Sequence, residues 1–354
     1  MDFLIFHRSI LALLTILFFS FSSYSQKNVR AYNKNINKAE LAICKAQYTK
    51  ADKFYDKAFE NKKPFWIDLY RATLLNHHCL NNTQKAINYS IILAELGNFS
   101  YTWFIEEKDT LENITLYHVY KTIKDTTTII FDKNLKNVID SIRQSDQEIR
   151  NERLFSDDDD DDIWEQKIKY VDSINFCKLK SLYKKYGTIN EYNMGMEAMR
   201  NIWSFFLHFY KVLDVNPESF LLKEFLSGNF DVREYANLMD ICKSFSKGND
   251  SHFQKKEYAT GLEHYFLLHN TFFILDPSNI KLINKNRKEI GLYETWNDFK
   301  IKVQYSFSQK KSPIKFYFIQ EIIGDQEEDA KYEQDLIKQI QNKEIKGSYY
   351  TKDF

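Results

Sequence analysis

The chain has 354 residues, and its 49 Lys and Arg residues balance its 49 Asp and Glu residues, so the formal net charge is zero. This balance excludes a strong global attraction to nucleic acid or to an anionic membrane surface. Aromatic residues are abundant, with 29 Phe and 23 Tyr, whereas Gly and Pro number only 9 and 4. The composition therefore favours long helices around a substantial core, in about two domains.

Residues 1–25 have the layout of a secretory signal peptide. Arg8 precedes an apolar run at 9–21, and Ser23 and Ser25 place small residues just before Gln26. A membrane span needs roughly 20 apolar residues, and this run is shorter. We therefore expect cleavage, with no membrane span after it. No Cys follows the run, so a lipid anchor is not indicated. The sequence predicts an exported protein, periplasmic or secreted.

Paired amphipathic helices are predicted over residues 34–97. Small and aromatic residues recur there at helical spacing: Ala39, Ala42, Ala46, Ala51, Tyr55, Ala58, Tyr70, Ala72 and Ala86. Ala51 and Ala86 lie one period of about 34 residues apart, as do Cys44 and Cys79. This pattern resembles tetratricopeptide repeats. The resemblance implies a helical module, assigned to 26–125, with a concave peptide-binding surface. A packing module without a ligand is the alternative.

The four cysteines form no Cys-x-x-Cys pair, so neither a zinc site nor a redox motif is predicted. Free thiols packed as small apolar residues are the simpler interpretation of Cys44, Cys79, Cys177 and Cys242. An exported compartment permits disulfides, which leaves a bond between Cys44 and Cys79 open.

The middle of the chain combines a helix with an acidic run. Residues 126–131 are β-rich and separate the repeats from a helix predicted at 133–151. Six aspartates follow at 157–162, without the Gly and Glu spacing of a calcium-binding loop. We expect a solvated loop whose negative charge caps a helix that begins near Ile163.

Two segments are apolar on nearly all sides and predict central helices, Met194–Leu213 and Tyr258–Leu275. Two shorter helices are expected between them, over 220–245. A basic helix at 280–290 should end at Gly291.

From residue 300 the apolar period changes to two. Residues 301–307 and 314–318 alternate between apolar and polar side chains and predict a β-hairpin. A charged surface helix is predicted at 325–343, and the last ten residues are expected to be loose.

The motifs of common zinc proteases, P-loop enzymes, Rossmann folds and lipase-type hydrolases are absent. The chemical candidates are polar groups within apolar helices and the charged residues that would satisfy them: His208, Arg150, Asp146, Arg287 and His264. One interpretation is a satisfied structural network, because an unpartnered buried polar group is costly. The other is a pocket in which His208 acts as an acid–base group and an arginine binds an anion. Neither a metal, a cofactor nor a nucleotide is expected.

An ordered series of short motifs runs through the second half of the chain. The motifs are Asp146-Gln147-x-x-Arg150, Asp172-x-x-Asn175, Tyr186-Gly187, Leu207-His208 and Arg287-x-x-x-Gly291-Leu292. The series, over about 133–295, resembles a family of mostly bacterial, often exported proteins of unknown function. Leu207 replaces the Gln that usually precedes the His, and Thr188-Ile189 replaces a Trp-Pro. The resemblance therefore indicates which residues matter without naming a reaction.

The sequence as a whole predicts a mainly α protein with four parts. They are a signal peptide (1–25), a tetratricopeptide-like module (26–125), an α-helical domain (133–299), and a β-hairpin with a charged helix and tail (300–354). The first functional hypothesis is a cell-envelope component that binds a peptide or protein partner. The second is a metal-independent, hydrolase-like enzyme that uses His208 with Arg150 or Arg287. The third is a purely structural envelope protein.

Overall fold

A computed structural model describes residues 27–96, 132–156, 160–213, 217–245, 265–268, 271–276, 279–308, 312, 314, 316 and 326–351. These residues form thirteen α-helices and three β-strands. The predicted mainly α fold, with a small C-terminal antiparallel β element, is confirmed.

The N-terminal helices form two consecutive pairs. Helix α1 spans 27–44 and α2 spans Tyr48–Asn61. Helix α3 spans Trp66–Leu74, continues as a π-helical turn over Leu75–Cys79, and is followed by α4 at Thr83–Glu95. The small residues at the predicted spacing are fully buried between these helices: Ala39, Ala51, Ala58, Ala72 and Ala86. The helix pairs thus form as expected, and their relation to tetratricopeptide repeats stays a prediction.

One face of α1 and α3 is covered by the chain itself. Glu40 on α1 contacts Lys302, and the Arg71 guanidinium on α3 donates a hydrogen bond to the Phe316 carbonyl at 2.5 Å. Ile314 and Phe316 are buried in the core of the four N-terminal helices. This face is therefore occupied by residues 302, 314 and 316 of the same chain.

The next two helices form an antiparallel hairpin. Helix α5 spans Lys133–Leu154 and α6 spans Asp161–Tyr186. Contacts between residues 150 and 172, 145 and 175, and 132 and 186 show that the helices run in opposite directions. The Asp160 side chain accepts hydrogen bonds from the backbone N–H groups of residues 162 and 163. The prediction that the acidic run caps this helix is confirmed.

The α5–α6 hairpin packs on the largest hydrophobic core among the described residues. After a short helix α7 (Glu191–Met194), α8 (Met196–Leu213) contacts both α5 and α6. Helices α9 (Pro217–Leu226) and α10 (Val232–Phe245) close the other side. Large aromatic side chains from α8, α9 and α10 fill the space between them: Phe205, Phe206, Phe209, Phe225 and Tyr235.

The C-terminal part contains three helices and one small sheet. The helices are α11 (Ile280–Glu289), α12 (Trp296–Ser308) and α13 (Gln326–Gln341). Strands β1 (Tyr265–Leu268), β2 (Thr271–Leu275) and β3 (Gly347–Thr351) form an antiparallel sheet in the order β1-β2-β3. In its register, Phe266 and Tyr349 both lie opposite Phe273. Strand β3 therefore ties the end of the chain to a segment some 75 residues earlier.

Three predicted elements were wrong. The helix predicted at Tyr258–Leu275 is replaced, in its described part, by β1 and β2. A short run apolar on all sides suits a buried strand as well as a helix, and these residues are rich in aromatic and β-branched types. The final ten residues, expected to be loose, contain β3. We therefore find the small β element at these positions and not at 300–318.

The hairpin predicted from residue 300 overlooked a competing helical period. Trp296, Phe299 and Val303 are buried at spacings of three and four, which suits α12. Lys302, which looked like a polar strand residue, is buried and forms ion pairs. Ile301, which looked like a core strand residue, is exposed. No strand includes any described residue from 300 to 318.

The four cysteines are free in the structure, so Cys44 and Cys79 are not linked. Burial raises the pKa of the Cys44 thiol to about 12, which makes it a poor nucleophile. Within the described ranges, no helix is both long enough and apolar enough to cross a membrane.

Candidate functional site

His208 and Asp146, two of the predicted site residues, form a direct contact. His208 lies on α8 and Asp146 on α5, and the His208 Nδ1 atom is 2.9 Å from Asp146 Oδ1. The Asp146 side chain is only 2% exposed, whereas that of His208 is 25% exposed. The pair therefore reaches from the protein interior to solvent.

Arg150 holds two buried carboxylates in the same place. Its Nη1 atom lies 2.7 Å from Asp146 Oδ1, one helical turn away, and its Nη2 atom lies 3.0 Å from Asp172 Oδ2 on α6. The Gln147 side-chain amide donates to the other Asp146 oxygen at 2.9 Å. We call His208, Asp146, Arg150 and Asp172 the His208 cluster.

The two carboxylates of the His208 cluster have opposite pKa shifts. Burial raises the pKa of Asp146, but the hydrogen bond and charge of His208, with the charge of Arg150, outweigh it, so the net pKa is lowered. Burial also raises the pKa of Asp172, and Arg150 offsets this only in part, so its net pKa is raised. The site therefore favours the ionised form of Asp146 more than that of Asp172.

An apolar wall lies beside the His208 cluster. Val212, one turn after His208, packs with Ile149, Trp164 and Ile168. The Trp164 side chain is buried, and its Nε1–H has no hydrogen-bond partner among the described residues. A buried donor without a partner is unusual in proteins. The site therefore combines an acid–base pair, an apolar surface and one unused donor.

Arg287 was predicted at this site, and that prediction was wrong. Its guanidinium pairs with the Glu294 carboxylate and donates to the Glu294 carbonyl at 2.7 Å, within the C-terminal part. Its side chain is only 2% exposed. Arg287 thus pairs with a residue close to it in the sequence, because Glu294 is only seven residues later. His264, the remaining candidate, lies outside the described residues.

Arg287 belongs to a buried ion network that the sequence did not reveal. Glu294 also pairs with Lys302 at 2.7 Å, and Lys302 pairs with Glu40 on α1. Glu40 Oε1 in turn lies 2.6 Å from Arg71 Nη1. We call this set the Glu40 network, and its members are Glu40, Arg71, Asp68, Asp231, Arg233, Arg287, Glu294 and Lys302. It joins α1 and α3 to α10, α11 and α12.

The sequence signal for the Glu40 network was present but incomplete. Glu40 lies between the buried Ala39 and Ile43 and one turn after Ile36, so a charge on the apolar face of a helix was visible. Its partners on α10 and α12 are about 190 and 260 residues away. Periodicity carries no information on contacts between such distant segments.

Among the described residues, no group of three or more His, Cys, Asp or Glu side chains is arranged to hold a metal ion. No family model, no curated protein and no solved structure matches this chain. The chemistry of the site therefore has to be argued from its geometry.

Proposed function

We propose that the protein is an exported, metal-independent hydrolase-like enzyme whose acid–base group is His208. One observation carries the proposal: His208 contacts the buried, ionised Asp146 while a quarter of its own side chain remains exposed. Export is the expectation from residues 1–25. A histidine oriented by a carboxylate at one ring nitrogen, with part of its side chain reached by solvent, suits proton transfer near neutral pH.

The orientation assigns the proton positions. With its Nδ1–H donating to Asp146, the neutral imidazole has its lone pair on Nε2. In the proposed reaction, Nε2 takes a proton from water as the water oxygen bonds to the electrophilic carbon of the substrate. The imidazolium then returns this proton to the leaving group as its bond to that carbon breaks. Asp146 stabilises the transient positive charge, so no metal or redox partner is needed.

Arg150 serves as a positioning residue in this proposal. Both of its terminal nitrogens are engaged by Asp146 and Asp172, so the structure does not favour the anion-binding role considered for it. Its charge instead offsets one of the two buried carboxylates. The apolar wall around Val212 and Trp164 favours a substrate with an apolar group next to the bond that is cleaved.

Binding of a peptide by the N-terminal helices receives less support. The face of α1 and α3 that carries Glu40 and Arg71 is covered by α12 and by residues 314 and 316. A partner would have to use another surface of these helices.

Hydrolysis of p-nitrophenyl acetate by the purified protein tests the proposal. We expect His208→Gln and Asp146→Asn each to lower kcat/KM about 100-fold, because general acid–base catalysis contributes that much or more. The matched control is His78→Gln. His78 lies on the π-helical turn, where burial lowers its pKa to about 4, and it should contribute nothing to the rate.

Far-UV circular dichroism should show that all three variants remain folded. The proposal fails if the wild-type rate does not exceed that of an equal concentration of imidazole. It also fails if folded His208→Gln protein retains the wild-type rate.

A further inference from the structure

Among the described residues, the α5–α6 hairpin carries most of the exposed large hydrophobic side chains. Seven large hydrophobic side chains are exposed among the described residues, and five of them lie on this hairpin: Leu154, Phe155, Ile163, Tyr170 and Ile174. Phe155 is 81% exposed, Leu154 73% and Tyr170 69%. Clustering of this kind marks an interaction surface, whereas single exposed apolar residues need no explanation.

The exposed apolar residues of α6 lie along one face of this helix. Ile163, Tyr170 and Cys177 are seven residues apart, and Ile174 and Ser181 fall between and after them at spacings of three and four, so all lie on one helix face. The opposite face of α6 is buried against α5 and α8, through Trp164, Ile168, Asp172, Asn175 and Leu179. These exposed residues therefore form an outward-facing seam on an element whose other side is fixed.

The two ends of the seam have opposite charges. At the turn, Leu154 and Phe155 are followed by the six aspartates at 157–162. At the far end, α6 and the start of α5 form a groove of about 640 Å³ lined by Val138, Tyr170, Ile174, Lys178 and Lys185, among others, and by no acidic side chain. The groove is thus apolar and basic, whereas the turn is apolar and acidic.

Tyr170 lies close to the middle of this pattern. It is ten residues after Asp160, and eight residues before Lys178. When two copies of the hairpin pack antiparallel across Tyr170, the acidic turn of each copy reaches the basic groove of the other. Such an arrangement has two-fold symmetry and uses the same patch twice, as an isologous interface requires. A parallel arrangement would place like charges together.

We propose that two copies of this chain form a two-fold symmetric dimer through the α5–α6 seam, with Leu154, Phe155 and the acidic start of α6 at 160–162 of each copy on the Lys178–Lys185 groove of the other. The apolar residues supply the buried area, and the charges at the ends select the antiparallel orientation. The second copy is favoured over another partner because one surface carries both complementary halves. The dimer does not depend on the proposed enzymatic activity.

Charge reversal with rescue tests this dimer. The groove variant is Lys178→Glu with Lys185→Glu. The turn variant is Asp157→Lys, Asp158→Lys, Asp159→Lys and Asp162→Lys, which makes the run at 157–162 net positive and leaves Asp160 and Asp161 in place for the cap and for the ion pair with Arg153. Each variant alone faces like charges at both ends, so sedimentation velocity should show a rise of roughly 100-fold or more in the dimer Kd. An equimolar mixture pairs opposite charges at both ends and should form a 1:1 heterodimer.

The matched control is Lys169→Glu with Lys180→Glu. Both lysines are exposed on α6, and neither lines the groove, so the same change in net charge should leave dimerisation unchanged. A monomeric wild type at the highest soluble concentration overturns the proposal. So do charge-reversed variants that dimerise like wild type, or a mixture that stays monomeric.

Cross-linking provides a measurement that does not depend on charge. In a Cys177→Ser background, Tyr170→Cys should form a disulfide-linked dimer under mild oxidation, because the two-fold axis brings residue 170 close to its own copy. Residue 169 lies outside the seam, so the Lys169→Cys variant should remain monomeric. Equal cross-linking at the two positions would contradict the antiparallel geometry.

Discussion

The His208 cluster and the Glu40 network are both built on buried carboxylates but differ in the group that they leave partly exposed. Both place carboxylates against arginines between distant helices. In the Glu40 network, the side chains of Glu40, Lys302 and Glu294 are 2–6% exposed, and Lys302 forms ion pairs with both carboxylates. In the His208 cluster, the side chains of His208 and Arg150 remain 25% and 23% exposed. Arg233 of the Glu40 network is also 26% exposed, so a partly exposed histidine, more than exposure alone, separates the candidate site from the structural network.

The two assemblies should differ most when a carboxylate is removed. Glu40→Ala leaves Arg71, Lys302 and Arg233 without a shared partner in the interior, and we expect a loss of roughly 3–5 kcal/mol in the free energy of unfolding. Urea denaturation at pH 7 measures this loss. The exposed Glu289→Ala is the control and should change stability by less than about 0.5 kcal/mol. A similar, small effect for both variants would mean that the network does not hold α1 in place.

Acid sensitivity is the second contrast. Burial raises the pKa of Glu40, but Lys302, Arg71 and Arg233 outweigh this and lower it to about 2. Because the folded pKa lies below the unfolded value, Glu40 stabilises the fold above pH 4.5, and this contribution, about 3 kcal/mol, is lost as the pH falls towards 2. Urea titrations between pH 5 and pH 2 should therefore show a shallower loss for Glu40→Gln than for wild type. Parallel curves would contradict the ionised, buried state of Glu40.

The smallest contrast lies within the His208 cluster. Asp146→Asn removes the carboxylate that both His208 and Arg150 favour in its ionised form, and should cost about 2 kcal/mol. Asp172→Asn should cost less, because burial already disfavours the ionised form of Asp172 and raises its pKa. Thermal and urea unfolding at pH 7 should rank the two variants in this order. Asp140→Asn, which changes only a half-exposed ion pair with Lys136 on the same helix, provides the baseline. The reverse ranking would show that Asp172 is the main partner of Arg150.

The sequence predicted helices better than contacts between them. Helical periodicity located most of the described helices, because an amphipathic pattern reports which face is buried. It also identified His208, Asp146 and Arg150, since polar groups inside apolar helices must find partners. The same argument wrongly grouped Arg287 with these residues. It predicts that a buried polar side chain has a partner, but it does not predict which residue the partner is. Asp172 was noted in a motif, but its role as the second partner of Arg150 emerged only from the helix pairing.

The strands were missed for a related reason. A short apolar segment such as Thr271–Leu275 is compatible with either secondary structure, and its pairing with β3 depends on a segment about 75 residues away. Around residue 300, an alternating pattern and a helical pattern coincide, and the burial of Lys302 against Glu40 decides between them. Tertiary contacts thus determine the structure where local patterns are ambiguous.

The placement of α1 has a consequence for how the chain folds. The side-chain amides of Asn33 and Asn37 donate to the carbonyls of Gly291 and Tyr293, more than 250 residues later. Val29 packs directly on Gly228. A Cβ atom added to Gly228 would lie only 2.7 Å from the Val29 side chain. Helix α1 therefore acquires these neighbours only after residues 291 and 293 have been synthesised. A contact order of this kind slows folding, and it keeps the face of α1 that carries Asn33, Asn37 and Glu40 uncovered until most of the chain is available.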